Sequence, residues 1–557
     1  MPNEVESVSV VIIGAGIGGL TFAIALKRKL RFDDFIIYEK ADDVGGTWRD
    51  NCYPGCSSDI PIHWYSLYSD LDPEWPNVLG YQPQIEAYWQ KLSRKYGLYK
   101  KISFRTRVIS AEWDSQKNMY YVTAQSGNGN ETYCWAKVVV SAVGLLSEPA
   151  YPPGVEEEIT RSLDTRVFKG PMWHSSRWCE AVPLQGKTVG VIGNAASAAQ
   201  FIPIISKDPT VKVVNVCRTP NWYISLPNST YSNVTKWAFA HVPLTMRGYY
   251  YWVSFRDDFI FCLRKYTAFG KLSLRAAKEY ILARSPKKYH DKIVPDFPIG
   301  CKRYIVDVGY LDSLHRDNVE VNWNGFKEFY SDGVLTGAGE QIPVDAIIFA
   351  TGFKVSEYLV RVVGTNGSIQ QFYLSQGGPT AHIGTTVPTF PNFFMLYGPN
   401  TVMGHGSVVC TVECQVGYVL QLLSPILDGR LSSVYVTQEA CDDYNTYMQS
   451  QLSSPNSPMM KCTSWFRAGP DQSGKVISTF PDPWLAFWWY LRRPAWGDFE
   501  CYDRKSRRIA LGASQHWRDI SRPFSGLFLD IINACVSGFL RARRMISNFV
   551  PGYGSEL

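Results

Sequence analysis

The chain has 557 residues, 45% apolar and 19% charged, with a formal net charge of +6. That length points to two to four domains. The composition excludes a disordered chain, and no Lys/Arg block marks a nucleic-acid binder.

The first predicted element, residues 8–13 (VSVVII), is a short β-branched run of the kind that forms a buried parallel strand. Although residues 8–26 are apolar enough to resemble a leader peptide, no Lys or Arg precedes them and a spaced glycine motif interrupts them. Gly14, Gly16 and Gly19 follow the strand in GxGxxG spacing, and a helix is predicted over 20–29. Such a turn lets backbone approach a pyrophosphate, which the helix N-terminus then meets with free N–H groups. A second strand, 34–38, ends at Glu39, 25 positions after Gly14. An acidic group there accepts from a ribose diol and repels a 2′-phosphate, so the ligand is expected to be FAD or NAD. Gly46, Thr47 and Trp48 form a second glycine-rich loop, followed by Tyr53-Pro54-Gly55.

Another strand, 187–192, runs into Gly193-Asn194-Ala195-Ala196-Ser197, and the strand over 211–217 ends at Arg218-Thr219. Arg218 lies 25 positions after Gly193, the same spacing as in the first fold with the opposite charge. An arginine suits a 2′-phosphate through charge-assisted bidentate bonding, so this fold is expected to take NADP(H). Ala195 stands where such turns usually carry glycine, and its methyl is expected to weaken or reposition the cofactor.

Between the two folds, Phe168, Gly170, His174 and Trp178 spell FxGxxxHxxxW. With this motif, the GG-T-W loop and the paired dinucleotide folds, the chain resembles the Baeyer–Villiger monooxygenases across residues 8–500. The related N- and S-oxygenating enzymes end the motif in Tyr or Phe, so Trp178 favours the Baeyer–Villiger branch. The resemblance implies an α/β fold with two Rossmann-like domains and a helical insertion, holding FAD and NADP(H). It divides the chain into a first FAD part (1–147), a first NADP part (148–221), the insertion (222–299), a second NADP part (300–384), a second FAD part (385–500) and a C-terminal extension (501–557).

The resemblance also supplies roles. Gly46, Thr47 and Trp48 would face FAD; Lys40, Tyr65 and Val108 would join the cofactor-binding set; Gly193, Asn194, Ser197, Arg218, Thr219 and Trp465 would serve NADP(H). Tyr53 to Asp59 resembles the family's YPG-x-x-x-D, and Lys302-Arg303 its active-site pair. Asp59 and Arg303 are thus the expected catalytic residues, because the reaction passes through an anion in a dry pocket that needs a fixed cation. His174 is expected to act as a hinge.

The expected activity is oxygen insertion beside the carbonyl of a hydrophobic, bulky ketone, with O2 as co-substrate. The rivals are an N- or S-oxygenase, and an FAD oxidase or flavin-binding protein that has lost NADPH coupling. The 13 scattered cysteines lack the spacing of a disulfide scaffold, and no His pair follows Cys52/Cys56 or Cys410/Cys414 at zinc-ligand spacing. They are expected to be reduced thiols in a cytoplasmic, monomeric or weakly associating protein with no metal site and no membrane-spanning run. Residues 524–540, followed by Arg541, Arg543 and Arg544, are expected to dock as a helix or to touch a membrane surface peripherally.

Overall fold

The computed structural model describes residues 6–519, apart from 163, 267–268, 455–456, 470, 512–515 and 518. The expectation for 524–544 therefore lies outside the described residues.

Two sheets organise the chain. In the first, Glu6–Ile13 runs parallel to Phe35–Tyr38 on one side and to Glu131–Ser141 on the other. Val10, Val11 and Ile12 are fully buried, as a continuous apolar run in a parallel strand requires. Antiparallel strands Met119–Ser126 and Thr106–Asp114 extend this sheet, and Arg361–Gly364 joins its far edge in parallel. Phe393–Met395 also pairs with Glu131–Ser141.

The second sheet is wholly parallel, in the order Val319–Asn322, Lys212–Val216, Thr188–Ile192, Ala346–Phe349, Met172–His174. Its strands are buried along most of their length rather than in alternation, since helices and loops cover both faces. The chain leaves this sheet at Phe349 and re-enters the first at Arg361, ahead of the boundary expected at 384.

The two crossings between sheets run side by side. Ala150 N–H donates to the Gly352 carbonyl at 2.9 Å, and Lys354 N–H donates to the Glu148 carbonyl at 2.9 Å. Helices Asn233–His241, Thr245–Tyr266 and Phe269–Arg284 fill the expected insertion. Among the described residues one helix, Val408–Leu427, is long and apolar enough to cross a bilayer, and 72% of its most apolar window is buried inside the fold. It packs against Ile17–Ala25, so its apolar surface serves the core.

Candidate functional site

The first glycine turn is shaped by its own backbone. Gly14 has φ +103°, and a Cβ there would lie 2.7 Å from the Ala142 carbonyl oxygen. Helix Ile17–Ala25 starts immediately after Gly16. Gly46, at φ +54°, brings the second loop so close that a Cβ would meet the Gly16 Cα at 2.9 Å. Glu39 is buried at the neighbouring strand tip, where its carboxylate accepts from the N–H groups of Ala15 (2.6 Å) and Ala41 (2.8 Å). Thr47 opens the helical turn Thr47–Asp50, and the Trp48 indole N–H donates to the Tyr65 hydroxyl at 3.2 Å.

Lys40 and Val108 complete the set expected at the first cofactor. Lys40 pairs with Glu148 at 2.5 Å and with Ser147 at 2.9 Å. Val108 is buried in the apolar cluster that contains Val11, Ile13 and Tyr38.

The second turn repeats the first. Gly193 has φ +102°, close to the value of Gly14. Ala195 precedes helix Ala196–Ile205 with φ −80° and ψ −164°, against φ −80° and ψ −169° at Gly16. Its methyl is exposed and costs the backbone nothing. Asn194 ties the turn to the strand tip: its amide donates to the Thr219 carbonyl at 3.1 Å, and its side-chain oxygen accepts from Asn221 at 2.9 Å. Ser197 lies in the first turn of the helix.

Arg218 is exposed at that tip, and Lys302 reaches it from a distant loop, donating to the Thr219 hydroxyl at 3.0 Å. Burial, and then the charge of Arg218, hold the Lys302 ammonium below its ordinary pKa. In sequence Lys302 is only the neighbour of Arg303; its place beside Arg218 depends on a contact 83 positions long.

Arg303 and Asp59 form a bidentate pair, Nε to Oδ2 at 2.9 Å and Nη2 to Oδ1 at 2.9 Å, with both side chains half-buried. Nη1 faces the Met403 carbonyl at 3.5 Å. Burial works against the charged guanidinium, but the Asp59 carboxylate and its hydrogen bonds raise the pKa above the ordinary value. Tyr397 stands close by, its hydroxyl pushed up to about 12 by burial. From the insertion, Arg264 lies 5.8 Å above the Tyr304 ring, so the insertion walls one side of the pair.

The linker motif acquires physical reasons. A Cβ on Gly170 would collide with the Phe168 ring and stand 2.6 Å from the Asp345 carbonyl oxygen, so this glycine makes room for a core aromatic. Trp178 packs on Phe201 of the second fold's helix, ring centroids 5.3 Å apart. His174 is buried between the Tyr151 and Phe353 rings on the two crossings, and its Nδ1 accepts from the Ser176 N–H at 3.1 Å. Burial, helped by the charge of Arg177, lowers its pKa to about 4. The two folds also meet at Gln200, a contact absent from the sequence reading. Gln200 accepts from the Tyr53 hydroxyl at 2.9 Å and donates to the Ser57 carbonyl at 3.0 Å.

One expectation is corrected. Cys301 and Cys462 are not free thiols but a disulfide, with Cα atoms 6.0 Å apart. Loops distant in sequence meet here, with Gly300 packed near Pro458. The bond ties the loop carrying Ser464 and Trp465 to the residue preceding Lys302-Arg303. Among the described residues, no group of three or more His, Cys, Asp or Glu could hold a metal ion.

Comparison with known proteins agrees with this geometry. Residues 12–92 match the NAD(P)-binding Rossmann-like domain model. A Baeyer–Villiger monooxygenase of Pseudomonas aeruginosa is 35% identical, over 84% of this chain and 86% of its own length. One from Streptomyces coelicolor is 33% identical, over 86% and 89%. Among solved structures, cyclohexanone monooxygenase from Rhodococcus sp. Phi1 bound to NADP+ superposes with a TM-score of 0.76 at 23% identity, over 90% of this chain and 100% of that one. The OTEMO complex with FAD and NADP gives 0.73 at 25% identity, over 86% and 96%. With two relatives above 30% identity along most of their length, the chain belongs to the Baeyer–Villiger monooxygenase family.

Proposed function

We propose that the protein inserts one oxygen atom from O2 beside the carbonyl of a hydrophobic ketone, giving an ester or lactone, with FAD in the first fold and NADPH in the second. The observation that carries this reading is the Arg303–Asp59 pair, a fixed cation at a site walled by the two folds' loops and the insertion.

The chain's residues fit both cofactors. The first turn leaves only backbone at Gly14, Gly16 and Gly46 where a pyrophosphate would approach, and Glu39, held by two N–H groups, retains lone pairs for a ribose diol. Arg218 and Lys302, on either side of Thr219, offer a 2′-phosphate two cations and a hydroxyl. Trp465, three residues after the Cys462 that is tied to the residue before Lys302, would cover the nicotinamide half. Bound there, FAD would supply the chemistry of hydride acceptance from NADPH and of O2 activation.

The residues then divide the work. Arg303 offers a permanent positive charge to the negative charge that develops on the reacting oxygens, in surroundings that strengthen the attraction. Asp59 fixes the guanidinium plane through two hydrogen bonds. His174, neutral and buried on the paired crossings, positions one fold against the other. Ala195 keeps the backbone geometry of Gly16, which supports NADPH coupling over a chain that has lost it.

The purified flavoprotein, supplied with NADPH, O2 and an equimolar ketone and thioether, tests the reading: an ester should accumulate. Consumption of the sulfide alone rejects it in favour of heteroatom oxygenation, and failure of NADPH to bleach the flavin rejects the coupling.

A further inference from the structure

The insertion presents an apolar face to solvent. Besides Arg247 and Lys265, helix Thr245–Tyr266 exposes Gly248, Tyr251, Trp252 and Phe255, with Phe259 half-buried below them. Spacings of three and four place these on one stripe. Leu244, immediately before the helix, continues the stripe and is also exposed. The opposite face, Tyr250, Val253 and Ser254, is the buried one. A surface helix ordinarily turns polar residues outward, and here the outward stripe is aromatic, with Trp252 59% and Phe255 63% exposed.

The preceding helix behaves the same way. No residue of Asn233–His241 is buried. Its inner side packs Phe239 against His63 at a centroid distance of 5.0 Å, while Val234 (76% exposed) and Trp237 point away from the protein. A nine-residue helix gains little stability alone, so an apolar outer side with nothing against it among the described residues is a liability unless something covers it.

Charge identifies the cover. Residues 233–293 carry twelve Lys and Arg against four Asp and Glu, a net charge of +8 in a chain whose total is +6. The rest of the protein is therefore slightly acidic, and the positive charge is concentrated in the segment bearing the exposed rings. Lys271, Arg275 and Lys278 are exposed on Phe269–Arg284, which packs against Thr245–Tyr266 and adds exposed Phe269 and Leu272. A second copy of this face would repel the first. Trp and Tyr with basic neighbours is the composition of a helix lying in a lipid headgroup layer, where rings enter the acyl boundary and cations meet anionic phosphates.

We propose that the helices Asn233–His241 and Thr245–Tyr266 seat this protein on an anionic phospholipid surface, with Trp237, Trp252 and Phe255 inserted and Lys271, Arg275 and Lys278 facing the headgroups. The contact is peripheral and crosses no bilayer. It is independent of the catalytic reading, since none of these side chains has been placed at the cofactors or at Arg303.

Sedimentation of the full-length flavoprotein with vesicles tests the proposal. Vesicles of phosphatidylcholine with a quarter phosphatidylserine should carry the protein down at low salt, pure phosphatidylcholine should carry far less, and raised salt should release it. Trp252→Ser/Phe255→Ser should weaken the binding about tenfold or more, because two rings' worth of apolar burial is lost. Flavin content and thermal midpoint should stay unchanged, because both positions are exposed. Lys271→Glu/Lys278→Glu should weaken binding to the anionic vesicles and leave the rings intact. The proposal is overturned if the wild type ignores anionic vesicles. It is also overturned if both variants bind as the wild type does, or if Trp252→Ser/Phe255→Ser instead breaks a dimer of a protein that binds no vesicles.

Discussion

Cys301 and Cys462 are joined by a disulfide across 161 positions, and the bond sits directly before Lys302 and Arg303. On one side it anchors the loop that lends Lys302 to Thr219; on the other it holds the loop bearing Trp465. Cys301→Ser/Cys462→Ser should therefore raise the KM for NADPH several-fold with the flavin fully retained. Closing so long a loop also restrains the unfolded chain, so the variant should lose about 2–5 kcal/mol of stability. A denaturant titration and NADPH saturation kinetics check the two effects. An unchanged KM would separate the bond from cofactor binding.

The bidentate pair makes a sharper claim. Arg303→Ala removes the fixed cation and leaves Asp59 unpaired, and product formation should fall about 10²–10³-fold, the scale of losing one preorganised charge stabiliser. Flavin reduction by NADPH, followed anaerobically by absorbance, should proceed, because both nucleotide turns are intact. Asp59→Ala should fall by less, since the charge remains and only its orientation is lost. Equal oxygenation in wild type and Arg303→Ala would remove the residue from the mechanism.

What the sequence disclosed and what it hid follow one division. Glu39 and Arg218 were legible because each ends a strand a fixed number of residues after its glycine turn, and local spacing is enough to place them. Phe168 and Gly170 were legible only as a motif; their reason, a ring occupying the space a Cβ would need, is three-dimensional. The Lys302–Thr219 bond, the Gln200 latch and the Cys301–Cys462 pair each join segments at least 83 positions apart. No periodicity or turn chemistry encodes such meetings. The bond from Lys40 to Glu148 is another such meeting, across 108 positions.

Ala195 offers a test of what the second turn's glycine is for. The backbone there lies in an ordinary extended region shared with Gly16, and the methyl meets solvent, so the fold does not need a glycine. Any cost of the methyl then falls on the bound pyrophosphate. Ala195→Gly should lower the KM for NADPH by about two- to tenfold and change stability by only a few tenths of a kcal/mol, since glycine is tolerated at a helix N-cap. A KM that stays the same or rises would mean that the cofactor is held away from this turn.

Buried histidines set the acid limit of the fold. Burial lowers His174 and His63 to about 4 and His382 to about 3, all below the usual 6.5. Between those values and 6.5 the unfolded chain binds protons that the folded chain refuses, so stability must fall as pH drops from 6.5 toward 4. For His174 alone, a depression of this size corresponds to about 3 kcal/mol at the acid end of the window. Glu413 acts in the opposite direction: burial raises its carboxyl to about 8, so the folded chain holds a proton that the unfolded chain releases above 4.5. Its contribution declines as pH rises from 4.5 to 8. Below 6.5 three histidines outweigh one carboxyl, and from 6.5 to 8 Glu413 is still losing ground. The thermal midpoint should therefore peak near pH 6.5 and fall steeply on the acid side. His174→Gln should flatten that acid limb without moving the alkaline one; an unchanged acid limb would show that His174 is protonated in the folded protein.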